Sequence, residues 1–170
     1  MSYKPISIIT KLELPIAHSL QGAYTGLCVG NVSRDGKTVF DLSTGLIPII
    51  HGHNYVVTVK MTGVDEQLNK DGMVMDFKLL KKRLHEFFDK YDHSMILQKD
   101  HPLVGIYLKN YKDHHIDLEE TRLFVWDVNP TAEYMALKWQ KELDEWFCDG
   151  VTVIKVEVSV EETSNNTVTV

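Results

Sequence analysis

The sequence predicts an α+β domain, an antiparallel four-stranded sheet with two helices on one face. Two observations carry that expectation. Apolar residues alternate with a period of two in three stretches, Ile6 to His18, Asn54 to Met61 and Val151 to Val160. Between the second and third, two further stretches repeat apolar residues at three- and four-residue spacing, as helices with one buried stripe do. The 170 residues suit a single domain over 1–170, large enough to bury about two thirds of its unfolded surface without disulfides or a structural metal.

In the first strand Ile6, Ile8, Leu12, Leu14 and Ile16 share a parity, and His18 keeps it after Pro15. The excursion from Ser19 to Ile50 contains Asp35-Gly36, a two-residue hairpin signal, so a small hairpin is expected there. The second strand follows. Asp76 can cap a first helix reaching to about Lys90, with Phe77, Leu80, Leu84, Phe87, Phe88 and Tyr91 as its core stripe. Gln98 to Val128 shows no clear period and reads as an irregular surface excursion. A second helix starts around Asn129-Pro130-Thr131, where proline suits a first helical turn, and runs through Ala132, Met135, Ala136, Trp139, Leu143, Trp146 and Phe147 to Asp149-Gly150. In the third strand Thr152, Ile154, Val156, Val158 and Val160 share one parity, and Val168 to Val170 can pair as a return strand. A four-stranded sheet leaves two edges, so edge-to-edge association of several copies is expected.

Composition excludes several partners. Acidic residues outnumber basic ones, 24 to 18, and the net charge of -6 argues against a nucleic-acid partner. Lys78, Lys81, Lys82 and Arg83 fit a solvated helix face. Thr10, Lys11 and Glu13 interrupt the apolar N-terminal stretch, so no signal peptide, membrane span or membrane partner is expected and the protein is placed in the cytoplasm. Cys28 and Cys148 are too few for a disulfide framework and read as thiols.

The chemistry concentrates at His51-Gly52-His53, which runs into the second strand. A period of two points both imidazoles to one face, where they could grip one zinc ion. A catalytic zinc needs a third ligand and an open position, and His18 is the best candidate for that ligand. The plainer alternative is a pair of strand-end histidines without metal.

His18, His51-Gly52-His53-Asn54-Tyr55, Gly72-Met73-Val74-Met75-Asp76-Phe77, Tyr91-Asp92-His93, Asn129-Pro130-Thr131-Ala132-Glu133 and Glu162-Thr163-Ser164-Asn165-Asn166 occur in one order. That ordered set resembles the 6-pyruvoyltetrahydropterin synthase and 6-carboxytetrahydropterin synthase family over nearly the whole chain. The resemblance implies the tunnelling fold, in which sheets of several copies join into a barrel, here a homo-oligomer such as a hexamer. Against that family, segments near 28–48 and 98–128 look inserted.

By the resemblance, His18, His51 and His53 correspond to zinc ligands, Asp92 and His93 to a proton-relay pair, and Glu162 to the carboxylate that anchors the pterin ring. Thr131 and Glu133 fall on a second pterin-contacting segment, although Glu133 also fits a plain acid complementing a helix dipole. Glu161 cannot share the role of Glu162, because it faces the other side of the sheet. Without the resemblance, Asp92-His93 reads as a helix C-terminal turn. The implied activity is that of a zinc-dependent lyase, eliminating triphosphate from 7,8-dihydroneopterin triphosphate. The carboxy branch, on the queuosine and 7-deazaguanine route, leads; the pyruvoyl branch is the alternative, and a zinc-loaded pterin- or purine-binding oligomer without catalysis is a third reading.

The sequence departs from the family where relatives place a cysteine or glutamate base shortly before the paired histidines. Gly45 to Ile50 holds neither. Either Cys28 folds back to serve as the base, or the base is lost or reassigned, with Asp41 and Asp35 as the substitutes.

Overall fold

A computed structural model of the chain describes residues 4–20, 50–117, 120–147 and 152–170. Its elements are β1 (Pro5–His18), β2 (His51–Val64), α1 (Phe77–Phe88), β3 (Ser94–Gln98), α2 (Pro102–Asp113), β4 (Leu123–Trp126), α3 (Ala132–Phe147), β5 (Lys155–Thr163) and β6 (Asn166–Thr169). The strands form one six-stranded sheet in the order β4-β3-β1-β2-β5-β6. Contacts divide the chain into two units, one within Met1–Leu14, Asn54–Lys90 and Ala132–Val170, the other within Pro15–His53 and Tyr91–Thr131.

In the first unit β2 and β5 pair antiparallel, with Val56 opposite Glu161 and Val59 opposite Val158, and β6 pairs antiparallel on the far side of β5. The period of two does what it promises here. Val57, Val59 and Met61 are fully buried with Val156, Val158 and Val160, while Lys60 and Glu157 form an ion pair on the other parity. Leu80, Leu84 and Phe88 of α1 and Met135, Ala136, Trp139 and Leu143 of α3 complete the core, and Phe88 meets Trp139 edge to face at 5.3 Å. Asp76 caps α1 as expected, its Oδ1 accepting from the Leu79 N–H at 2.9 Å. Phe77 departs from the expected stripe and is exposed at the first helical position. Ile154 departs too: β5 begins only at Lys155, so the parity does not extend back, and Val153 is buried in its place.

In the second unit the end of β1 lies parallel to β3, with His18 opposite Ile96, and β3 lies parallel to β4, with Gln98 opposite Trp126. Among the described residues, this corrects the four-stranded antiparallel sheet with two helices to a mixed six-stranded sheet with three helices. Parallel neighbours need a crossover connection, and α2 supplies it between β3 and β4. The stretch read as a surface excursion therefore carries a helix and a strand. Its periods were illegible because β3 and β4 span only five and four residues, and α2 buries a single apolar residue, Val104. Tyr91, Ile96, Leu97 and Trp126 form the core of this unit.

No helix among the described residues is long and apolar enough to cross a membrane. Cys28, Asp35-Gly36, Asp41, Cys148 and Asp149-Gly150 lie outside the described residues.

Candidate metal centre

Leu14, Ile16 and His18 occupy alternate buried positions of β1, and His51 and His53 keep the parity of the buried Tyr55 and Val57 on β2. The strands run antiparallel, since Ser7 hydrogen-bonds Thr62 near one end while Gly52 lies against Ile16 at the other. A Cβ on Gly52 would stand 3.4 Å from the Ile16 carbonyl oxygen, an ordinary contact distance. The result is a cluster of three imidazoles. Ring centroids are 4.5 Å apart for His18 and His51, 5.4 Å for His18 and His53, and 4.9 Å for His51 and His53.

The donor set suits a metal ion. One nitrogen from each ring lies within 4.8 Å of the others, and this is the group of metal-ligating side chains found among the described residues. His18 is completely buried, with Nδ1 2.8 Å from the Pro130 carbonyl oxygen. A carbonyl only accepts, so Nδ1 carries the proton and Nε2 keeps the lone pair a metal needs. His51 Nε2 is buried and meets no hydrogen-bond partner among the described residues, which is the cost a bound cation would relieve.

Asp92 and His93 sit in the turn between α1 and β3, also in the second unit. The two adjacent side chains do meet, with Asp92 Oδ2 2.9 Å from His93 Nδ1. His93 has a left-handed backbone, φ 53°, which is unfavourable for a residue with a Cβ. Its N–H donates to the Pro15 carbonyl, Ser94 N–H donates to Tyr91, and the Arg122 guanidinium donates to the Asp92 carbonyl. The imidazole is mostly exposed. Thr131 N–H donates to the Asn129 carbonyl just before α3.

In the first unit, Glu133 is exposed in the first turn of α3, where its charge complements the helix dipole. Glu162 lies on β5 where the pairing with β6 shifts register between Glu161 and Thr163. Its Oε1 accepts a hydrogen bond from the Tyr55 hydroxyl at 3.1 Å. Glu161 faces the other way and pairs with Lys11 at 3.6 Å. Sequence reasoning missed Tyr55 as a partner of Glu162, and missed the Pro130 carbonyl and Arg122; the shared parity of His51, His53 and Tyr55 was the one available signal.

The family model described as 6-pyruvoyl tetrahydropterin synthase matches residues 7–170. The chain is similar to 6-carboxy-5,6,7,8-tetrahydropterin synthase of Rickettsia typhi, 30% identical over 95 residues, covering 55% of this chain and 62% of the relative, so the match spans less than two thirds of that protein. The Rickettsia felis protein of the same name is 29% identical over 117 residues, covering 68% of this chain and 78% of the relative. Among solved structures, an uncharacterized protein from Wolinella succinogenes superposes with a TM-score of 0.68 at 21% identity, covering 98% of each chain. Plasmodium vivax 6-pyruvoyl tetrahydropterin synthase does so at 0.62 and 18% identity, covering 98% of this chain and 97% of its own. At these identities the superpositions speak to the fold.

Proposed function

The chain belongs to the 6-pyruvoyl tetrahydropterin synthase family, and on that premise we propose that it is a zinc-dependent synthase converting 7,8-dihydroneopterin triphosphate and water to 6-carboxytetrahydropterin, with elimination of triphosphate and release of the other two side-chain carbons as acetaldehyde. The observation that carries this reading is the cluster of His18, His51 and His53, three imidazoles with one fixed tautomer and, among the described residues, three protein ligands. When bound there, zinc supplies Lewis-acid polarisation of the substrate's side-chain oxygens at its open position.

The remaining work falls to the chain's own side chains. Glu162 accepts paired N–H bonds from the pterin amino group and the neighbouring ring nitrogen, the geometry a carboxylate matches best. Thr131 and Glu133 serve as secondary pterin contacts. Asp92 holds the His93 ring by Nδ1, leaving Nε2 to take and return a proton. The base that takes the first proton from carbon is assigned to Cys28, with Asp41 and Asp35 as substitutes. The variant that abolishes turnover while leaving zinc and pterin binding intact identifies it. The working unit is a homo-oligomer joined at the sheet edges, β4 and β6, and the product belongs to the queuosine and 7-deazaguanine route.

The test is to incubate zinc-loaded protein with 7,8-dihydroneopterin triphosphate and identify the products by mass spectrometry. A 6-carboxytetrahydropterin product supports the proposal, and a 6-pyruvoyl product moves the chain to the other branch. Unchanged substrate, still bound, overturns catalysis in favour of a binding protein.

A further inference from the structure

Resting on the reading of Glu162 as the pterin anchor, we infer that Tyr55 is the positioning residue that sets this carboxylate for the 2-amino edge of the ligand. β2 and β5 pair with Val56 opposite Glu161, which brings Tyr55 and Glu162 side by side on the next rung. Both point to the apolar face of the sheet, on the parity of the fully buried Val57 and Val160. A carboxylate is out of place on that face without a polar partner. Glu162 is only part-buried, at the end of the strand and at the point where the β5 and β6 register shifts, and such irregularities re-aim a side chain.

Tyr55 is fully buried, and its hydroxyl donates to Glu162 Oε1 at 3.1 Å. The terminal torsion of a glutamate is otherwise broad, so an untethered carboxylate would turn between many orientations. One donated bond fixes its plane while occupying a single lone pair. A carboxylate oriented in this way matches two parallel donors, which is what an amino group and an adjacent ring N–H present. Tyrosine suits this task for a second reason. Its ring is fully buried in the core, so the hydroxyl is held by packing.

Phenylalanine at position 55 keeps the ring and removes the hydroxyl that donates to Glu162. The experiment measures binding of two probes to the zinc-loaded protein by fluorescence: pterin, and lumazine, in which a carbonyl oxygen replaces the 2-amino group. The ratio of the two affinities is insensitive to a loss of folded protein, which would weaken both alike. We expect Tyr55→Phe to lower the preference for pterin by about tenfold, in line with a hydrogen bond to a charged group. Glu162→Gln should lose the preference altogether, and Tyr55→Phe added to Glu162→Gln should change nothing further. If Tyr55→Phe keeps the preference that Glu162→Gln loses, the inference about Tyr55 is overturned and the anchor stands. If Glu162→Gln itself keeps the preference, the anchor reading fails and the inference falls with it.

Discussion

At the scale of single residues, His53 and His93 separate binding from proton transfer. Outer partners of a metal ligand already contribute about 10- to 100-fold to affinity, so His53→Ala should weaken zinc binding by at least that much. Metal analysis after dialysis checks this, and stoichiometric zinc in the variant would refute the ligand assignment. His93 pays for its position in backbone strain at φ 53°. His93→Gly relieves that strain, and urea denaturation should show stability unchanged or raised by up to about 1 kcal/mol. Turnover should nevertheless fall by about 100-fold or more. A stable and fully active His93→Gly protein would remove His93 from the reaction. Asp92 and His93 are in direct contact, although the two are sequence neighbours whose side chains could have diverged.

At the scale of elements, two helix caps differ in chemistry, one a carboxylate and the other an imidazole. Asp76 accepts from the first turn of α1, and Asp76→Ala should cost about 1 kcal/mol in a denaturation experiment at neutral pH. At α2 the capping side chain is His101, almost wholly buried, whose Nδ1 accepts from Leu103 N–H at 3.2 Å. Burial holds the His101 pKa below its usual 6.5. Well above pH 6.5 the group is neutral in both folded and unfolded chains. As pH falls through that value the unfolded chain takes up the proton first, so stability declines until the lower folded pKa is passed and then levels off. His101→Asn retains a capping oxygen without the titration, and its stability should fall less than that of the parent between pH 7.5 and 5.5. Equal slopes in the two proteins would refute the role of His101. This helix was invisible in the sequence, since a histidine cap and one buried valine leave no stripe to read.

At the scale of the whole molecule, metal and folding are linked. The histidines that gather around the candidate centre come from β1 and β2, whose sequence positions are far apart, and an unfolded chain does not hold them together. Zinc at about 100 times its Kd should therefore stabilise the fold by about 2.7 kcal/mol, seen as a higher melting temperature that a chelator reverses. A melting temperature indifferent to zinc would argue against a preformed site. The sequence by itself determined the long strands, α1 and α3, and the shared face of His51 and His53, because each depends on a period repeated within a few neighbouring residues. It also carried the ordered motifs from which the family was legible. Only the tertiary structure decided the mixed sheet, the crossover through α2, the tautomer of His18 and the bond from Tyr55 to Glu162. The last two join residues 112 and 107 positions apart, and such contacts are set by the register and packing of distant segments, for which no local pattern exists.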